Sequence, residues 1–204
     1  KWFCRLRPFD DVRKAKPITS FSVNPSLYAK LPFDTQKDFA PIALVASAPL
    51  LLVVNPQLPV KNLSDLIKLA KEKPGSLNYG TSGVGTTSHL AAELFKYTAK
   101  LDIINVPYKG GGQAITDLVG GQVKFGMLGL APSLPYIKSG KLKAIAVTGQ
   151  KRSNLLPNTP TVSETLPGVY TLQWFGVVAP ASLSMQIQQK LSQEINAISK
   201  DPEV

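Results

Sequence analysis

The sequence predicts an α/β fold built mainly on parallel strands, and three observations carry that prediction. From residue 41 onward, short apolar runs alternate with amphipathic stretches, the order that βα units leave in a sequence. The longest apolar run, "APLLLVV" over residues 48–54, has the length of a buried strand. Three strand-to-helix junctions, residues 81–88, 108–112 and 129–132, are rich in small residues. In open parallel sheets, ligands bind beyond the C-terminal ends of strands, beside helix N-termini.

The elements follow in order. Residues 1–20, "KWFCRLRPFDDVRKAKPITS", mix aromatics with charge, show no periodicity and are expected to be irregular. "PIALVAS" and "PLLLVVN", over residues 41–55, read as two strands. "NLSDLIKLAKEKPG" reads as a helix. Asn62 can cap it, Asp65 lies in its first turn, and Leu63, Leu66, Ile67 and Ala70 share a face. Lys71 and Lys73 suit its C-terminus, and Pro74-Gly75 stop it. "LNYG" is a short strand, and "HLAAELFKYTA" a helix with Leu90, Ala91, Leu94 and Phe95 as its buried stripe.

"DIINVPY" is the next strand, followed by "GGGQAITDLVGG", a short helix bracketed by glycines. "VKFGMLG" is a strand and "APSLPYIKSG" a helix with Pro132 near its start. "LKAIAVTG" and "TLQWFGVVAP" are strands. "MQIQQKLSQEINAISK" closes the pattern as a helix with Ile187, Leu191, Ile195 and Ile198 along one face.

"NYGTSGVGTTSHLAAELF", residues 78–95, runs from strand through small-residue loop to helix, a common anion-binding device. Gly80 and Gly85 have P-loop spacing, but Thr86 stands where the phosphate-binding Lys would be. A dinucleotide fingerprint starting at Gly83-x-Gly85 fails at Ser88, its third glycine position. A singly or doubly charged anion suits this loop better than a polyphosphate. A capped glycine turn holding no ligand explains the residues equally well.

Catalytic groups are harder to find. His89 is the only histidine, with Glu93 one helical turn on; it reads as a ligand donor or a helix-surface residue. No Gly-x-Ser-x-Gly elbow and no cluster with metal-ligand spacing are present, so no catalytic residue, metal or cofactor is assigned. Cys4, the only cysteine, excludes an intrachain disulfide. Tyr108 can line a pocket, and Lys109 reads as a surface lysine. Trp174 and Phe175 read as core.

The formal charge is +10, of which residues 1–17 contribute +4. The remaining lysines are scattered over outer helix faces without interleaved aromatics, a solvated surface and not a nucleic-acid footprint. No segment approaches the ~18 apolar residues of a membrane span.

The run "NPSLYAKLPFDTQKDFAPIALVASAPLLLVVNPQLPVKNLSDLIKLAKEKPGSLNYGTSGVGTTSHLAAELF" resembles the substrate-binding proteins of tripartite tricarboxylate transporters, the Bug or TctC-like family. The likeness continues through "VPYKGGGQAITDLVGGQV", "LPYIKSGKLKAIAVTG", "LPNTPTVSET" and "QWFGVVAPAS", and covers residues 21–204.

The resemblance implies a periplasmic, two-lobed type II binding-protein fold whose lobes close on a small carboxylate, with membrane transporter subunits as partners and a monomeric state. Residues 21–54 and 175–204 would belong to lobe 1, incomplete at both ends, and residues 55–174 to a whole lobe 2. The family's Pro-Gly-Gly-rich jaw, its last C-terminal helices and an Asp or Asn near Leu128 and Gly129 are not found here. Ligand contacts are expected from Thr81, Ser82, Gly83, Gly85, Thr86, Thr87, Ser88 and His89. Tyr108, Gly110, Gly111, Gly129 and Ala131 would border the ligand from the other two loops. The rival readings are a ligand-sensing subunit, a truncated remnant that binds nothing, and a small enzyme using the same loop as an oxyanion cradle.

Overall fold

The computed structural model describes residues 16–17 and 19–200. The chain divides into two compact units, one continuous from Ala48 to Gln173, the other formed by the segments flanking it.

The central unit is a five-stranded sheet covered on both faces. Its strands are the last residues of β2 (Phe39–Val54), then β3 (Asn78–Thr81), β4 (Ile104–Pro107), β5 (Phe125–Gly129) and β6 (Lys143–Val147). Their spatial order is β6-β2-β5-β3-β4. As expected, β3 pairs in parallel with both β4 and β5, with Thr81 opposite Pro107 and Gly80 opposite Gly126. The mainly parallel expectation fails at β2, which runs antiparallel to both β5 and β6. Antiparallel neighbours need no covering crossover helix, so βα alternation could not reveal them. The two runs expected over residues 41–55 are one 16-residue strand.

Alternation along β2 splits the apolar residues between two cores. Leu50, Leu52 and Val54 point to one face, with Tyr79, Phe125 and Met127. There they meet Leu63, Leu66 and Ala70 of α2 (Leu63–Glu72) and Ala91, Ala92 and Phe95 of α3 (Thr87–Ala99). Leu51, Val53 and Leu128 point to the other face, against Ala114, Ile115 and Leu118 of α4 (Gly111–Val119) and Leu130 of α5 (Leu130–Lys138). Helix α3 turns its Ser88, Ala91, Ala92, Phe95 and Ala99 stripe inward, leaving Leu90 and Leu94 half-buried. Small alanines on that stripe let the helix lie close to the sheet.

Helix α2 begins as the sequence indicates: the Asn62 side chain accepts from Asp65 N at 2.9 Å. Asn55, buried just after β2, donates through Nδ2 to the Leu118 and Val119 carbonyls at 2.8 and 3.2 Å. It ties the end of β2 to the C-terminus of α4, satisfying carbonyls that helix geometry leaves over.

In the flanking unit, β1 (Lys16–Pro17) pairs antiparallel with β7 (Leu172–Pro180), which neighbours β2 in the strand order. Helix α1 covers Thr19–Leu27 and α6 Met185–Ile198. The irregular stretch expected over residues 1–20 lies outside the described residues, apart from β1 and the start of α1. Ile42 is buried in this unit, whereas α6 has no fully buried residue.

Candidate functional site

The three small-residue loops leave the C-terminal ends of β3, β4 and β5, three neighbouring strands running the same way. The sequence expectation of one shared strand-end location is met. All the expected site residues lie in the central unit.

The loop after β3 is held by its glycines and its own hydroxyls. Gly83 has φ +127, and a Cβ there would lie 3.0 Å from the Tyr108 carbonyl oxygen; only glycine fits both conditions. Gly85, at φ +76, is also in the left-handed region. Thr86 caps α3: its Oγ1 accepts from His89 N at 3.3 Å and donates to the Gly83 carbonyl at 2.7 Å. Ser88 is buried; its hydroxyl accepts from Ser82 N at 3.1 Å and donates to the Met127 carbonyl. Thr81, fully buried, donates to Asn105 Oδ1 at 3.0 Å.

The hydroxyls of Thr81, Thr86 and Ser88 therefore donate to protein acceptors and build the loop's shape. Thr87 is buried and Ser82 half-buried. The Ser88–Met127 bond bridges 39 residues of chain, and no local signal in the sequence announces it.

The second loop meets the first. Tyr108 N donates to the Thr81 carbonyl at 3.0 Å, and a Cβ on Gly111 would lie 3.5 Å from Ser82 Oγ. Gly110, at φ +131, precedes the first turn of α4. The Tyr108 hydroxyl donates to Asp117 Oδ2 at 2.8 Å; burial first, then the carboxylate, pushes its pKa up to about 12. Asp117, isolated in sequence, is thus the anchor of this aromatic wall. Lys109 is exposed, as expected.

In the third loop, Gly129 stands at the start of α5, and a Cβ there would meet Pro132 Cγ at 3.0 Å. Its carbonyl accepts from Ser133 Oγ at 2.8 Å. Ala131 lies in the first turn and is exposed.

The His89 ring accepts at Nδ1 from Gly85 N at 3.3 Å, and its Nε2 lies 3.9 Å from Glu93 Oε1, beyond hydrogen-bond distance. Glu93 also accepts from the Tyr79 hydroxyl, a partner that nothing in the local sequence pairs with it. No group of three or more His, Cys, Asp or Glu able to hold a metal occurs among the described residues. No helix among them is long and apolar enough to cross a membrane.

A mixed α/β unit with strand-end loops of this type is the architecture of periplasmic solute-binding proteins, and solved structures of that class superpose on this chain. Rpa4515 of R. palustris, solved with adipate, matches with a TM-score of 0.87 at 34% identity, over 93% of this chain and 64% of that one. MatC from Rhodopseudomonas palustris, solved with malate, gives 0.79 at 29%, over 91% and 62%.

Within that class, residues 14–204 match the model of the tripartite tricarboxylate transporter family receptor, and the chain belongs to this family. BugT of Bordetella pertussis is 35% identical over 176 residues, covering 86% of this chain and 54% of BugT. The chain thus spans about half the length of the curated relatives it matches. Proteins of this family are periplasmic solute-binding receptors and not enzymes.

Proposed function

We propose that this chain carries the carboxylate-binding lobe of a periplasmic solute receptor that delivers a small carboxylate to a tripartite tricarboxylate-type transporter. The observation that supports it most is the convergence of the three loops at the ends of β3, β4 and β5, with two glycines held at positive φ where α3 begins. The binding of adipate by Rpa4515 and malate by MatC supports a carboxylate of that size. Because three of the loop hydroxyls and the Ser82, Gly85 and Thr86 N–H groups donate within the protein, the proposed contacts are the backbone N–H groups of Gly83 and Val84, the Ser82 hydroxyl and the start of α3. Gly83 and Gly85 allow the close approach; Gly110, Gly111, Gly129, Ala131 and Tyr108 form the border.

The test is a thermal-shift screen against small mono-, di- and tricarboxylates, adipate and malate included. A ligand at 100 times its Kd stabilises the fold by about 2.7 kcal/mol, an easily read shift. At least one carboxylate should produce it. Gly83→Ala should abolish it, since the new Cβ needs the space held by the Tyr108 carbonyl. A cooperative melt unmoved by every carboxylate would contradict the proposal.

A further inference from the structure

The shape of the β3–α3 loop depends on one ring nitrogen. Gly85 donates its backbone N–H to Nδ1 of His89 at 3.3 Å. An imidazole nitrogen accepts only when it carries no proton, so this contact requires the tautomer with its proton on Nε2. That Nε2 faces Glu93 Oε1 at 3.9 Å, and the same oxygen accepts from the Tyr79 hydroxyl. Tyr79 is fully buried on β3, stacked on Phe125 with ring centroids 5.5 Å apart. Burial and Glu93 both push the tyrosine's pKa upward, so it stays a donor and Glu93 the acceptor. Hydrogen bonds thus join Tyr79 to Glu93 and Gly85 to His89, with Glu93 Oε1 and the ring's Nε2 3.9 Å apart. The titratable groups that these contacts place beside the ring are Glu93, on its own helix, and beyond it Tyr79 of β3.

We propose that neutral His89 is the positioning residue of this loop, and that protonating it releases Gly85 and opens the anion site. The functional half of this inference rests on the carboxylate reading; the structural half does not. A second ring proton would sit on Nδ1 and point at the Gly85 N–H, turning an attraction into a repulsion between two donors. The intact loop requires the neutral ring, so it persists at higher pH and is lost as the ring charges. If His89 instead touched the ligand directly, the sign would reverse, because a cationic ring would attract a carboxylate more strongly. The sequence placed His89 among the ligand donors; the geometry points to a role one step behind them.

His89 is the only histidine in the chain, so ¹⁵N-histidine labelling gives one imidazole to read. In the ligand-free protein near pH 8, long-range ¹H–¹⁵N couplings should place the proton on Nε2. Exchange of the Gly85 amide, corrected for its intrinsic rate, should accelerate at least about tenfold as the ring ¹⁵N signals report its protonation. His89→Asn keeps an acceptor oxygen near the Nδ1 position without a titrating ring; Gly85 should stay protected in it, independent of pH. His89→Leu should lose that protection at every pH. In titrations with adipate, wild-type affinity should fall relative to His89→Asn as pH drops, a comparison that cancels the ligand's own protonation.

A proton on Nδ1 would overturn the inference. So would wild-type Gly85 exchange that tracks His89→Asn at every pH, or affinity that rises in acid relative to that variant. Should no carboxylate bind any variant, the carboxylate reading fails, while the ring and amide data on ligand-free protein still decide the role of His89.

Discussion

The central unit and the flanking segments use similar apolar residues to very different effect. In the central unit, Leu50, Leu51, Leu52, Val53 and Val54 are all at most 1% exposed, because helices cover both faces of the sheet. In the flanking unit, Leu44 of β2 is 58% exposed, and Met185 and Ile198 of α6 are 67% and 57% exposed. The same strand, β2, is dry at one end and wet at the other. Burial belongs to the covering elements and not to the strand's own composition. The three candidate loops all lie in the central unit, leaving the ends of β3, β4 and β5.

The largest effect expected from this contrast is in the central core. Phe125→Ala removes a side chain 1% exposed that stacks on Tyr79, and should cost about 3–5 kcal/mol in chemical denaturation. Asn55→Ala comes next: it removes a side-chain donor from the buried Leu118 carbonyl and the part-buried Val119 carbonyl and should cost about 1–3 kcal/mol. Ile187→Ala on α6, a residue 49% exposed, should cost about 0.5 kcal/mol or less by the same measurement. A cost for Ile187→Ala equal to that of Phe125→Ala would break the comparison.

The smallest effect is read as a slope in acid. Glu164 closes a capping box with Thr161 at the short 3₁₀ turn Val162–Glu164 and accepts two bonds from Arg152, at 2.9 and 2.6 Å. Arg152 foremost, then the Thr161 backbone N–H, holds its carboxyl down at about 2, against an ordinary 4.5. A depressed carboxyl contributes stability that is whole above pH 4.5 and lost as pH falls toward 2. In Arg152→Ala the melting temperature should fall less steeply over that interval than in the wild type.

What the sequence disclosed was local. Asn62, Asp65 and Pro74-Gly75 framed α2, and the strand–loop–helix rhythm located β3, β4, β5 and the three loops at their ends. Thr161-x-x-Glu164 is a capping-box spacing that could have been found in the same way. What stayed hidden was distant along the chain. The antiparallel setting of β2 joins residues more than 70 apart, Leu50 opposite Gly129 and Leu51 opposite Val147. Ser88 reaches Met127, and Asn55 reaches Leu118. The hydroxyl-rich loop was legible as a polar loop. That its hydroxyls turn inward is fixed by Met127 and Asn105, partners that local spacing cannot supply.

The most direct test of the account is a backbone-amide NMR titration of the chain with adipate and malate. The account predicts saturable shifts concentrated in residues 81–89, 108–112 and 129–132. A rival lies elsewhere in the same unit: a cleft of about 510 Å³ beside α2, carrying Lys68 and Lys71 and sharing no residue with the three loops. Shifts centred on Lys68 and Lys71, with the three loops unmoved, would contradict the assignment of the site.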